Sequence, residues 1–235
     1  PRKSARLRIQ VIPKRERGLP PPTCIVLIYS CIAFNNKILA MSITASTIQG
    51  RMLCAAGLAY SLPHATKTIT VSVMPASLLT EPYYTGAGYT TAPTSVQNGL
   101  AACTVGVSSD GIVVAFRGTE FDSAFNWLDN SEMVYTQQEG LPGMVHRGFN
   151  DYVTKIIAEV ALAIEALQLL DSNAKLYITG HSAGAALAPI AAYRLAQANG
   201  INATAIYLMA PPSPGDTTFA AGYNQKFPNS YSYEN

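Results

Sequence analysis

The sequence predicts an α/β fold in which a mostly parallel sheet carries helices on both faces. From residue 111 onwards, strand-like and helix-like segments alternate along the chain. Parallel strands joined through helices need both faces of their sheet covered. The composition agrees, because 235 residues that are 49% hydrophobic and 13% charged can build one sizeable buried core. It excludes a disordered tail, a collagen-like fibre and a disulfide-dense mini-protein.

The first half of the body predicts one helix, short strands and a hairpin. In residues 43–62, apolar side chains recur at helical spacing behind Thr and Ser capping candidates. Residues 70–100 are rich in Thr, Pro, Gly and Tyr, which predicts irregular structure with short strands. The apolar runs 101–107 and 111–116 flank a Ser-Ser-Asp segment, which predicts a hairpin.

The second half predicts alternating helices and buried strands. Residues 150–170 carry one apolar stripe opposite charged positions and form a predicted helix. The short apolar runs 175–179 and 205–210 are predicted strands, and the Ala-rich segment 182–197 between them is a predicted helix. Pro189 falls inside that helix, where it removes a hydrogen bond and is expected to kink it.

The basic residues are concentrated at the start of the chain. Residues 1–40 hold eight Lys/Arg and one Glu, whereas residues 41–235 hold eight Lys/Arg and thirteen Asp/Glu. A nucleic-acid-binding protein would carry its positive charge on the folded domain, so we do not expect a nucleic-acid partner. No apolar run reaches the roughly 20 residues of a membrane-spanning helix.

Residues 1–40 have two interpretations. Their basic stretch is followed by about a dozen apolar residues and then small residues, the pattern of a secretory signal peptide. Alternatively, the mature protein starts at Met41. The first interpretation predicts an extracellular protein and the second a cytoplasmic one. Under both, the leader 1–40 lies outside the folded domain, 41–235.

The cysteines and histidines do not predict a metal or cofactor site. Cys24 and Cys31 lie in the leader, and Cys54 and Cys103 lie in apolar surroundings without a Cys-x-x-Cys spacing. We expect the latter two to be buried thiols, although a disulfide between them is possible. The three histidines show no paired ligand spacing.

The segment Gly180-His181-Ser182-Ala183-Gly184 follows a predicted strand and opens a predicted helix. A nucleophile elbow requires this order of strand, serine-bearing turn and helix. Ser182 is therefore the candidate nucleophile, and the N–H of Ala183 at the helix start can face a developing oxyanion. Adjacent residues on such a turn point apart, so we interpret His181 as a packing or hydrogen-bonding residue. The alternative is a glycine-flanked turn without chemistry.

A second motif, Phe116-Arg117-Gly118-Thr119, ends the predicted strand 111–116. A loop that leaves a strand beside the elbow can supply the second oxyanion donor. Thr119 offers both an N–H and a hydroxyl for this purpose. The alternative is a polar loop start.

Four blocks in order, VVAFRGTE, NWLDN, MVHRGF and ITGHSAGAALA, span residues 113–188. They resemble the fungal-type, class 3 lipase family of the α/β-hydrolase fold. The resemblance implies hydrolysis of carboxylic esters, such as acylglycerols or related lipids, without a cofactor. It assigns Ser182 as nucleophile and Thr119 with the N–H of Ala183 as the oxyanion hole. It also implies that His146 is structural. The sequence departs from the family pattern at Ala185, where Gly often recurs.

The resemblance makes residues 121–131 the lid. Phe121, Phe125 and Leu128 share one helical face, and Trp127 lies beside them. A short amphipathic helix of this kind can cover an apolar cleft in water and open on contact with a lipid surface. The alternative is an ordinary amphipathic helix packed on the core. In the family an acid or amide after this Trp supports the oxyanion residue, and Asp129 and Asn130 both fit that description.

The catalytic acid and base are not evident in this chain. An α/β-hydrolase orders its triad Ser, then Asp or Glu, then His, but no His follows Ser182. Residues 229–235 resemble the start of the strand that precedes the catalytic Asp, which leads us to expect a chain truncated before the acid and base. The fallback pair is Asp216 and His146. The remaining alternatives are a non-catalytic lipase-like scaffold or binding protein, and an acyltransferase or phospholipase of the same fold.

Overall fold

A computed structural model describes residues 45–62, 68–79, 82–118 and 134–233. Several predictions concern residues outside these ranges. These are the leader 1–40, the oxyanion candidate Thr119, the lid 121–131 and its candidate supporting residues Asp129 and Asn130.

The described ranges hold nine strands: β1 Thr70–Val73, β2 Thr94–Asn98, β3 Ala101–Ser108, β4 Gly111–Phe116, β5 Tyr135–Gln137, β6 Met144–His146, β7 Leu176–His181, β8 Ala205–Met209 and β9 Ser230–Tyr233. Seven of them form one mixed sheet in the order β1-β2-β3-β4-β7-β8-β9. The pairs from β1 to β4 are antiparallel, and those from β4 through β7 and β8 to β9 are parallel. The remaining two, β5 and β6, pair separately as an antiparallel ribbon.

Six helices accompany these strands in the described ranges, the first of them before β1. They are α1 Ile48–Leu58, α2 Pro82–Ala87, α3 Arg147–Thr154, α4 Ile157–Gln168, α5 Ala183–Ala198 and α6 Thr217–Lys226. Single 3₁₀ turns occupy Ala59–Ser61, directly after α1, and Ala76–Leu78.

The sheet separates two hydrophobic cores, because successive side chains on a strand point to opposite faces. Along β4, Ile112, Val114 and Phe116 pack into the core shared with α3, α4, α5 and α6. Val113 and Ala115 pack into the other core, with α1 and α2. Both faces of the sheet are therefore covered by helices, as the sequence predicts.

The predicted helix 150–170 is wrong near its start, because α3 ends at Thr154 and α4 starts at Ile157. Ile156 adopts φ −132° and ψ −9°, outside the helical range. The Thr154 hydroxyl donates to the carbonyl of Asn150 at 2.8 Å, a bond that competes with the helical ladder. Apolar periodicity continues across the break, which is why the sequence pattern does not reveal it.

The other predicted elements are found close to their expected bounds. Residues 101–108 and 111–116 form the expected hairpin, and α1 begins behind Thr47, whose side chain accepts a bond from the N–H of Gly50. The segment 70–100 holds two short strands but also α2, which was not predicted. Helix α5 continues through Pro189 as one element.

The two cysteines of the described chain are buried and are not joined in a disulfide. Cys54 belongs to the core beneath α1 and Cys103 to the core on the opposite face of the sheet. The sheet therefore separates the two thiols. Across the described ranges, no helix is both long enough and apolar enough to cross a membrane.

Candidate active site

Ser182 lies between the end of β7 and the start of α5, and its backbone is strained. Its torsions are φ 53° and ψ −125°, a region that residues with a Cβ rarely occupy. Such a conformation costs about 1–3 kcal/mol and persists only where the surrounding structure imposes it. Strain of this kind is concentrated at functional sites, so it singles out Ser182 among the serines of the described chain.

The two glycines of the motif allow this turn to pack against the sheet. A Cβ on Gly180 would overlap the carbonyl group of Gly184 and lie 2.7 Å from the nitrogen of Ala185. A Cβ on Gly184 would overlap the carbonyl oxygen of Phe116 and lie 3.1 Å from the carbonyl carbon of Arg117. The first turn of α5 therefore rests directly on the carboxyl end of β4, a contact that only glycine permits.

The strands on both sides of β7 hold the turn in place. The N–H of Ser182 donates to the carbonyl of Met209 at the end of β8, at 2.9 Å. On the other side, Gly180 is in register with Phe116 of β4. Ala183 is the first residue of α5 and is buried. The loop that continues from Phe116 towards Thr119 thus leaves the sheet beside the elbow.

His181 is directed towards the helix α1 side of the sheet, where it meets Tyr60. The Tyr60 hydroxyl lies 3.0 Å from Nδ1 of His181 and also donates to the His181 carbonyl at 3.4 Å. Burial lowers the pKa of His181, and it raises that of Tyr60 against an opposing effect from Arg117. Both side chains are therefore neutral at pH 7. His181 is therefore bonded to Tyr60 through both its ring and its backbone carbonyl.

Arg117, directly after β4, is a buried cation that anchors the site. Its guanidinium donates to the carbonyls of Leu62 and Leu100, each at 3.0 Å, and its N–H donates to the carbonyl of Ala102. These bonds tie the end of β4 to the chain that follows α1 and to the turn before β3. Sequence reasoning assigned no role to Tyr60 or Arg117, because their partners are distant in sequence.

The segments that carry the fallback acid and base run side by side. The N–H of His146 donates to the carbonyl of Pro214, and that of Asp216 donates to the carbonyl of Met144, both at 2.8 Å. The Asp216 carboxylate caps α6 by accepting the N–H of Phe219 at 2.7 Å. His146 is buried with its ring 4.7 Å from that of Phe149, and burial lowers its pKa.

A metal site would need several His, Cys, Asp or Glu side chains close together. Across these ranges, His, Cys, Asp and Glu side chains do not gather in groups of three or more that could hold a metal ion.

Residues 113–235, just over half of the chain, match the model of a family described as Lipase (class 3). No curated protein sequence matches the chain. The structure is similar to a mutant form of MDLA from Penicillium cyclopium, with a TM-score of 0.62 and 21% identity over 79% of this chain and 68% of that one.

Two further solved structures share this fold. A triacylglycerol lipase from Penicillium expansum is 16% identical with a TM-score of 0.54, over 80% of this chain and 70% of that one. The native Rhizomucor miehei lipase propeptide complex is 18% identical with a TM-score of 0.53, over 85% and 70%. The α/β-hydrolase-type fold predicted from the sequence is thereby confirmed.

Proposed function

Because this chain belongs to the class 3 lipase family, we propose that it hydrolyses carboxylic esters of acylglycerols or related lipids through a covalent acyl-enzyme on Ser182. The observation that carries the proposal is the strained backbone of Ser182 at the junction of β7 and α5. A serine held in this conformation projects its hydroxyl out of the sheet, where a substrate can reach it. A turn without chemistry would not need this strain.

The site supports an ordinary two-step acyl transfer. The Oγ of Ser182 attacks the ester carbonyl while a general base takes its proton, and the carbonyl oxygen becomes an oxyanion. The tetrahedral intermediate collapses to the acyl-enzyme and releases the alcohol, which receives the proton. Water then attacks the acyl-enzyme by the same route and releases the carboxylic acid.

The oxyanion hole is assigned to the N–H of Ala183 and to Thr119. The first N–H groups of a helix have no acceptor within the helix, and the dipole at this end favours negative charge. Ala183 opens α5 immediately after Ser182. Thr119 follows Arg117 by two residues in the sequence, and its N–H and hydroxyl are proposed to supply the second donor.

The described histidines are assigned structural roles and not that of the general base. The Nδ1 of His181 is engaged by the Tyr60 hydroxyl at 3.0 Å. His146 packs on Phe149 at the start of α3, and Asp216 caps α6.

The segment 121–131 is proposed to be a lid that contacts lipid. Phe121, Phe125, Trp127 and Leu128 give it one apolar side, which would cover the cleft in water and bind a lipid surface when open. An enzyme of this type turns over an emulsified ester faster than the same ester in solution. Equal rates on both forms would count against the lid.

The experiment compares ester hydrolysis by the natural full-length protein with that of two variants. Ser182→Ala should lower kcat at least about 10³-fold, because the nucleophile acts as a unit with its base. Ser172→Ala, at an exposed turn after α4, is the matched control and should retain the full rate. Hydrolysis that survives in Ser182→Ala would refute the assignment, and an inert natural protein would favour a non-catalytic lipase-like binding protein.

A further inference from the structure

Tyr60 connects three segments that are far apart in sequence. It lies in the 3₁₀ turn directly after α1, and its hydroxyl reaches both Nδ1 and the carbonyl oxygen of His181, 121 residues later. The rings of the two residues meet edge to face, with centroids 5.9 Å apart at 60°. The residue beside the candidate nucleophile is thus held through both its side chain and its backbone.

The third segment is the exit of β4. A Cβ on Gly118 would lie 2.5 Å from the His181 carbonyl oxygen and 2.9 Å from the ring carbon that bears the Tyr60 hydroxyl. Gly118 is therefore packed directly between the tyrosine and the elbow. It also immediately precedes Thr119, the proposed oxyanion residue.

The backbone around this contact is anchored independently of Tyr60. The guanidinium of Arg117 holds the carbonyls of Leu62 and Leu100, and Ser182 is bonded to Met209 of β8. Loss of the Tyr60 hydroxyl should therefore leave the fold intact. It should loosen the packing between the turn at His181 and the chain at Gly118, after β4. Because the hydroxyl engages both the ring and the backbone carbonyl of His181, the contact restrains the position of this residue.

We propose that Tyr60 is a positioning residue, whose hydroxyl fixes Ser182, through the ring of His181, against the end of β4 at Gly118. The inference rests on the proposed hydrolase function. Alignment of nucleophile and oxyanion donors matters most in the transition state. A loosened elbow should therefore lower kcat and leave KM nearly unchanged.

The test is Tyr60→Phe in the natural full-length protein, which removes only the hydroxyl. We expect kcat for a soluble p-nitrophenyl ester to fall about three- to tenfold, the range that one neutral hydrogen bond supports. The matched control is Tyr89→Phe, which removes another buried phenol hydroxyl, 3.4 Å from the Thr104 hydroxyl. Tyr89 bridges to Ser108, at the end of the β3–β4 hairpin remote from the elbow, so this variant should keep the natural kcat.

A double-mutant cycle with His181→Phe separates positioning from general loosening of the core. If Tyr60 acts through His181, the kcat loss of the double variant is smaller than the product of the two single losses. A double variant whose kcat loss equals the product of the two single losses would overturn the proposal. A Tyr60→Phe variant that melts earlier but keeps its kcat would overturn it as well. A natural protein without Ser182-dependent hydrolysis would instead reject the proposed function, and the positioning role with it.

Discussion

Gly184 gives the sharpest test of how the elbow is packed, because helix propensity and steric contact predict opposite signs. Gly184 lies in the first turn of α5, where Ala would ordinarily stabilise the helix by about 1 kcal/mol. In this structure the new Cβ would overlap the carbonyl oxygen of Phe116 and lie 3.0 Å from its carbonyl carbon. These are backbone atoms, so no side-chain rotation can relieve the overlap.

The expected loss of stability follows from the size of this overlap with the Phe116 carbonyl. An ordinary contact begins at 3.4 Å, so α5 and the end of β4 must separate by about 1 Å, and overpacking of this kind costs about 1–3 kcal/mol. We expect Gly184→Ala to lower the free energy of unfolding by about 2 kcal/mol. The corresponding fall in Tm is about 4–8 °C for a domain of this size.

The assay is urea and thermal unfolding of Gly184→Ala beside Gly50→Ala. Gly50 is also in the first turn of a helix, α1, but there the nearest atom to a new Cβ is the side-chain carbon of Ala45, at 3.0 Å. This contact is with a half-buried side chain in the segment before the helix, which can shift more easily than strand backbone, so the control should be neutral or more stable. If Gly184→Ala unfolds at the same urea concentration as the natural protein, the described contact between α5 and β4 is wrong.

Three further predictions concern Thr119, Ala210 directly after β8, and the pH dependence of stability. Thr119→Ala should lower kcat at least about tenfold with unchanged Tm, as the loss of an oxyanion donor does; an unchanged kcat would remove Thr119 from the site. Ala210 adopts φ 51°, where a Cβ clashes with the backbone. Ala210→Gly should raise the free energy of unfolding by about 0.5 kcal/mol, because relief of this clash exceeds the entropy cost of glycine. A lower urea midpoint would contradict this. Burial lowers the pKa of His146 and His181 from 6.5, so the unfolded chain binds more protons and stability should fall as pH drops through 6.5 and level off below the folded-state pKa values. A urea midpoint at pH 5.5 above that at pH 7.5 would be the wrong sign.

The sheet and its helices could be predicted because their signals are local. Buried strands such as β7 and β8 are short apolar runs, and α5 follows a glycine-flanked serine. The position of Ser182 between a strand and a helix was predictable for the same reason. The alternation of strand and helix then leaves few topologies for the parallel half of the sheet.

The remaining features depend on contacts that periodicity does not encode. The break at Ile156 lies inside a continuous apolar stripe, where the Thr154 hydroxyl bonds back to Asn150 and the Asn98 amide donates to the Lys155 carbonyl. The contact of Tyr60 with His181 joins residues that are 121 positions apart in sequence. Only the folded chain brings these groups together, so a single sequence gives no signal for them.

The nucleophilic serine is the central claim, and covalent labelling tests it most directly. The natural full-length protein would be treated with a fluorophosphonate, which forms a stable adduct with an activated serine, and the modified peptide would then be identified by mass spectrometry. We predict one adduct per chain on Ser182, and no labelling of the Ser182→Ala variant. An adduct on another residue, or no adduct at all, would contradict the account.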